Sequence, residues 1–189
     1  MKTRLWKIIF AVLFVLPVCA KATTIDFYTD GTIVDGNVFE RVNVWDSATV
    51  DMTGGEVSRF YTYLTSTVNF NGGTISSLFV GDNSQLNMSE GLIDGSLNVS
   101  GSSIANLTGG QIPFYSQGAF ISAGGSSIVN IYGYGFSLDG QYLNGYWADG
   151  TAFYIWLRGE TPSHVVLIPE PVSILLFSLA GLFIVKRKH

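Results

Sequence analysis

One eight-residue pattern recurs through the middle of the chain at nearly constant spacing. Val50-Asp51-Met52-Thr53-Gly54-Gly55-Glu56-Val57 is followed by Val68-Asn69-Phe70-Asn71-Gly72-Gly73-Thr74-Ile75. Leu86-Asn87-Met88-Ser89-Glu90-Gly91-Leu92-Ile93 and Ala105-Asn106-Leu107-Thr108-Gly109-Gly110-Gln111-Ile112 come next. The offsets are 18, 18 and 19 residues, and a degraded copy, Val129-Asn130-Ile131-Tyr132-Gly133-Tyr134-Gly135-Phe136, follows at 24. Each copy opens with period-2 alternation, which puts Val50 and Met52 on one face of a strand and Asp51 on the other. Gly55, Gly73, Gly91 and Gly110 then supply the backbone freedom of a sharp corner. A second short strand follows, with Phe60-Tyr61-Thr62-Tyr63 matching Leu78-Phe79-Val80-Gly81 and, more weakly, Ser96-Leu97-Asn98-Val99.

Short strands joined by corners every 18 residues or so make one coil of a β-solenoid, whose apolar face is buried only when coils stack. The expected fold is therefore all-β: a single stack of about 4–5 coils with a period of 18–19 residues, read as a right-handed β-helix. Stacking piles Met52, Phe70, Met88 and Leu107 into one core. An antiparallel sandwich is the competing architecture, and the near-constant spacing counts against it. Asp51, Asn69, Asn87 and Asn106 form a ladder, a hydrogen-bonded amide stack if inward and a solvated row if outward; the alternation favours outward. Pro113 and Gly118 in the 24-residue step predict a loop bulging from the fourth coil. Residues 23–46 read as an N-terminal β cap, 47–136 as the solenoid and 137–166 as an aromatic C-terminal cap carrying Tyr142, Tyr146, Trp147, Phe153, Tyr154 and Trp156.

The two ends read as addresses. Residues 1–22 carry a basic start, nine apolar residues from Ile8 to Leu16, and small residues at Ala20 and Ala22. That is the layout of a cleaved signal peptide, and it is too short to span a bilayer. Val18 before Cys19 disfavours a lipid attachment site. Cleavage would leave a mature chain without cysteine, hence without disulfides or a thiol nucleophile. At the other end, Pro169-Glu170-Pro171 precedes fourteen uncharged, mostly apolar residues, 172–185, and then Lys186-Arg187-Lys188-His189. Fourteen helical residues give about 21 Å, a short membrane helix with its basic end held in the cytoplasm.

This ordered tail, residues 167–189, resembles the bacterial PEP-CTERM sorting domain. The resemblance implies a substrate of an exosortase, a membrane transpeptidase-like enzyme, in bacteria that make exopolysaccharide and biofilm. It implies Pro169, Glu170 and Pro171 as the recognition motif and Lys186, Arg187 and Lys188 as the stop signal. The Ser-x-Val-Asn-x-x-Gly-Gly-x-Ile runs, Ile131-Tyr132-Gly133-Tyr134-Gly135-Phe136 and Ala148-Asp149-Gly150-Thr151 are similar to secreted bacterial β-solenoid proteins that often carry such a tail. The expected partners are the exosortase, the secretion machinery, the inner membrane transiently through the C-terminal helix, and extracellular polysaccharide. The expected location is an inner-membrane-anchored precursor with its body outside the cytoplasm, then the cell surface or matrix.

Charge narrows the function classes. The whole chain carries −4, but seven of its ten basic residues are terminal. Residues 22–168 hold three scattered arginines, Arg41, Arg59 and Arg158, against thirteen acidic residues, a net of −10 with no lysine. Such a body repels phosphate backbones, which excludes nucleic acid as the main partner. At 13% charged residues the chain has about half the usual share. A β-helix lyase or hydrolase is one alternative, but basic groups are few, and Asp51, Glu56, Asp82 and Glu90 beside glycine corners read as turn residues. No catalytic residue and no cofactor is expected. No calcium-binding nonapeptide or EF-hand loop occurs, and lone His164 has no second ligand nearby, so no metal site is expected either. Tyr61, Tyr63 and Phe79 on a solenoid flank are candidates for stacking on sugar rings, or else belong to core or cap. A purely structural adhesin is the other alternative.

Overall fold

The computed structural model describes residues 23–114 and 118–170. It is all-β, a solenoid of about four turns, with one 3-10 turn and no α-helical element among the described residues. The segments read as signal peptide and membrane helix lie outside the described residues, and no described helix is long and apolar enough to cross a membrane.

The repeat becomes three long strands, β4 (Thr49–Thr62), β5 (Thr67–Val80) and β6 (Gln85–Val99), paired in parallel. Earlier in the chain lie β1 (Thr23–Phe27), β2 (Gly31–Ile33) and β3 (Val38–Val44). Each long strand continues through its glycine corner, where the register shifts, so both halves bury alternate residues in one core. The next coil is split into β7 (Ile104–Leu107) and β8 (Phe120–Ala123), which pair with the first and second halves of β6. The bulging loop predicted around Pro113 and Gly118 thus sits between the two strands of that coil.

Register follows the repeat closely. Val50, Val68, Leu86 and Ala105 align, as do Met52, Phe70, Met88 and Leu107, and all are buried. In the second halves Val42, Phe60, Leu78, Leu97 and Ile121 make the opposing column. One alignment differs from the sequence reading. Leu97, not Ser96, stands over Leu78, because the register slips by one residue between Ile75 and Ser77. The apolar residue keeps the inward place.

Residues 23–44 are β as expected and cover the first full coil, but they do so by extending the same parallel path. Ile33 aligns with Met52, Val42 with Phe60, and Arg41 with Arg59. At the other end β9 (Ile128–Asp139), β10 (Tyr142–Tyr146) and β11 (Ala152–Leu157) form an antiparallel meander, with β11 returning in parallel onto β8. Trp147 and Phe153 are buried against one another, ring centroids 4.3 Å apart, and the Trp147 indole N–H donates to the Gly110 carbonyl at 3.0 Å. A 3-10 turn, Thr161–His164, leads into β12 (Val165–Pro169), parallel to β9.

The tight turns between coils hold a column of buried serines, Ser66, Ser84, Ser103 and Ser127. Ser103 Oγ donates to the Ser100 and Val80 carbonyls at 2.7 and 3.0 Å, and Ser127 repeats this with Gly124 and Val99 at 2.9 and 3.1 Å. These bonds satisfy backbone acceptors that a turn would otherwise leave unpaired in the interior.

Candidate functional site

The amide ladder is both outward and hydrogen-bonded. Its members are half-exposed, alternating with the buried core column. Asn69 Nδ2 donates to Asp51 Oδ1 (2.7 Å), Asn87 to Asn69 (2.9 Å), Asn106 to Asn87 (2.9 Å) and Asn130 to Asn106 (2.8 Å). Asp51, weighed as a catalytic acid, therefore ends a structural ladder. Asp82 accepts the Leu64 N–H at 2.9 Å, pinning a residue with φ +59°. Asn71 likewise accepts from Ser89 Oγ at 2.8 Å. Among the described residues no group of three or more His, Cys, Asp or Glu is placed to hold a metal ion. His164 Nδ1 donates to the Ser127 carbonyl at 3.0 Å.

The aromatic candidates lie on the opposite set of half-strands. Tyr61 and Phe79 are in register on β4 and β5, their rings stacked at 4.7 Å and 8°. Tyr63 stacks on Trp45 at 4.0 Å and 11°, and Trp45 lies 6.2 Å from Tyr28. All of these rings point outward from the core, half-buried except Tyr28, which is 62% exposed. Parallel stacking follows from the coil repeat, since in-register rings of neighbouring strands meet face to face about 4.8 Å apart.

The stack decides which rings can meet a sugar. Tyr61 has Phe79 on one face and the Arg41 guanidinium 5.3 Å from its centroid on the other, so both faces are occupied. Tyr63 is stacked by Trp45 on one side, and the next coil offers Gly81, which has no side chain. Phe79 is followed in register by Asn98. The ring faces available are thus those of Tyr63, Phe79 and Tyr28. Partial burial, then the neighbouring Tyr61, Asp26 and Asp82, push the Tyr63 phenol above its ordinary range, against the opposing Arg41.

Two further groups were missed in the sequence. Tyr28 and Trp45 belong to the stack, and the 18-residue offset from Trp45 to Tyr63 is the repeat's own. The residues read as an aromatic cap also divide by alternation. Phe153, Ile155 and Leu157 are buried, whereas Tyr154 and Trp156 face outward with Tyr142, Phe114 and Phe120. Trp156 lies 5.4 Å from Phe114 and 5.7 Å from Phe120 in edge-on geometry, and Tyr142 lies 5.6 Å from Tyr154. A groove of about 240 Å³ runs between Gly110–Phe114 and Ala152–Ile155.

The sorting residues are divided. Pro169 ends β12 opposite Gly133, and the Glu170 N–H donates to the Gly133 carbonyl at 2.9 Å. Proline is tolerated there because an edge strand needs no donor on its open side. Pro171, Lys186, Arg187 and Lys188, like Ala20 and Ala22, lie outside the described residues.

No family model, no curated protein and no solved structure matches this chain.

Proposed function

We propose that this is an exported, non-enzymatic surface or matrix protein, carried through the inner membrane, sorted by an exosortase through its C-terminal tail, and associated with extracellular polysaccharide. The observation that carries the reading is the junction at Pro169. The last strand runs directly into Pro169-Glu170-Pro171, followed by the apolar stretch and the basic end. An outer face with ring faces and serine and asparagine rows supports the polysaccharide part, since sugars are bound by stacking on aromatic rings and by hydroxyl and amide hydrogen bonds.

The test is the intact mass of the mature protein recovered from the producing cell, followed by a pull-down on washed exopolysaccharide. A mass lacking both the signal and the tail beyond the tripeptide is the expected result. A mature protein that keeps residues 172–189 contradicts the sorting reading, and failure to bind any matrix fraction contradicts the polysaccharide reading.

A further inference from the structure

The three arginines that look scattered along the sequence share one face of the solenoid. Arg41 and Arg59 are in register on β3 and β4, on the same side as Asn43, Tyr61 and Phe79. Arg158 follows Trp156 on the outward side of β11, and its guanidinium lies 5.0 Å from the Phe120 ring centroid. All three are exposed, and they are every cation of residues 22–168. None forms an ion pair among the described residues. The carboxylate in register with Asn43 on this face, Asp26, already accepts from Asn43 Nδ2 (2.8 Å) and Trp45 Nε1 (3.2 Å).

We propose that this face, formed by β1, β3, the second halves of β4 to β6, β8 and β11, binds an acidic, carboxylate-bearing polysaccharide laid along the solenoid axis. The proposal rests on the polysaccharide reading above and deepens it by naming the surface and the polymer class. Charge complementarity selects the polymer. Residues 22–168 carry a net −10 and all three of their cations lie on this face, two on adjacent strands and the third four strand steps on, so this is the face on which an acidic chain meets positive charge. A guanidinium stacked on a ring keeps its in-plane N–H donors free, the geometry in which arginine grips a carboxylate. Arg41 has its guanidinium carbon over the Tyr61 ring at 5.3 Å and Arg158 over the Phe120 ring at 5.0 Å.

Spacing selects a polysaccharide over a nucleic acid. From β3 to β11 the face crosses five strand steps, about 24 Å at about 4.8 Å each. Three cations over that length are sparse beside a duplex with one charge per about 1.7 Å, but they suit a polymer bearing one carboxylate per sugar or every second sugar. Between the arginines and the two aromatic groups lies a strip of small polar side chains. Ser96 Oγ donates to Ser77 Oγ at 3.4 Å and Asn98 Nδ2 to Ser96 Oγ at 2.9 Å, with Ser122 beyond. A chain crossing the strip meets hydroxyl and amide groups, while Tyr63 and Phe79 at one end and Trp156 at the other offer ring surface.

The experiment measures binding of the full chain, in mild detergent, to immobilised polygalacturonate, dextran and an oligothymidylate. Arg59→Gln, Arg158→Gln and the double variant are compared with Glu90→Gln, which removes a charge from the first half of β6, before its glycine corner and outside this face. Polygalacturonate is expected to bind, with affinity falling about three- to tenfold for each arginine lost and falling further with added salt. Glu90→Gln is expected to bind as tightly as the parent. Equal affinity of the arginine variants, with unchanged thermal melts, would overturn the proposal, as would oligothymidylate binding at least as tight as polygalacturonate. Dextran binding without polygalacturonate binding overturns it while leaving the polysaccharide reading in place. Binding to neither sugar, combined with failure on native exopolysaccharide, overturns both.

Discussion

Replacing Gly73 by alanine tests whether the glycine corners are required by stacking or merely by local turn geometry. Gly73 has φ +89°, and a Cβ built on it would lie 2.6 Å from the Gly55 carbonyl oxygen and 2.7 Å from Gly54 C and O. Those atoms are backbone of the preceding coil, held by the parallel ladder between β4 and β5. They cannot swing aside as a side chain would. Gly36 is the matched control, because its φ is +84° but nothing lies within 4 Å of its would-be Cβ. Both alanines carry the left-handed conformational cost, about 1–2 kcal/mol. Only Gly73→Ala must also force two coils apart, an overpacking cost of about 1–3 kcal/mol. The expectation is a loss of about 2–5 kcal/mol at position 73 and about 1–2 kcal/mol at position 36. Urea unfolding of the full chain, followed by tryptophan fluorescence, reads the difference. Trp45 and Trp147 report on the two ends of the stack, so coincident transitions also show whether the coils unfold together. Equal midpoint shifts for the two variants would refute the claim that close coil approach selects glycine here.

Phe70→Ala removes a fully buried ring stacked in register between Met52 and Met88, and should cost about 3–5 kcal/mol in the same assay. Asn87→Ala breaks bonds to Asn69, Asn106 and Gln85, whereas Asn130→Ala breaks only that to Asn106, so the first should cost about 1–3 kcal/mol and the second about half as much. Equal costs would show that the ladder bonds contribute little. The raised Tyr63 pKa means that the native state favours the neutral phenol. Its contribution is therefore complete below the ordinary value of 10.0 and is lost as pH rises through the raised native value. Absorbance titration should show a phenol component ionising above 10.0, and that component should vanish in Tyr63→Phe. The Asp149 carboxylate is held below its ordinary value by the Thr151 N–H, donating at 2.8 Å, so the turn it stabilises should loosen only as pH falls through that lowered value. Carbon-13 chemical shifts of the Asp149 carboxyl across the acid range check this directly.

The core was legible because a near-constant offset of 18 or 19 residues is also the offset between stacked neighbours. Met52, Phe70, Met88 and Leu107 could be aligned by counting, and they are one column. Counting fails where the register shifts, which is why Leu97 rather than Ser96 occupies the inward place. It also fails where a corner departs from the Gly-Gly pattern. Residues 31–44 lack the Gly-Gly pair, so their membership in the stack was hidden although Arg41 and Arg59 are 18 apart. Leu64 was invisible as a left-handed residue because what holds it is Asp82, on the next coil. The outward rings Tyr142, Tyr154 and Trp156 were not separable from the buried Phe153, because the meander that sorts them follows no repeat. Tyr61 shows a subtler limit. Its outward position was readable by alternation, but the occupation of both its faces depends on Arg41 and Phe79 from neighbouring coils.

In-register stacking also accounts for the scarcity of charge, and it isolates the exceptions. A residue repeated in a parallel column meets its own copy about 4.8 Å away. An asparagine can donate to one neighbour and accept from the next, so an amide column is self-complementary at any length. A carboxylate can only accept, which restricts it to the first rung. Asp51 occupies that rung beneath Asn69, and Asp26 occupies the corresponding place beneath Asn43. Serine and glycine columns obey the same logic at the turns and corners. Arg41 and Arg59 break it, because like charges at such a spacing repel by about 1 kcal/mol even in water. Neither forms an ion pair among the described residues that would offset the repulsion. A sequence optimised only for stacking would place serine or threonine there, as it does at Ser77 and Ser96 in the same column. The two arginines are an electrostatic cost to the fold, and an anionic partner lying across both would remove it.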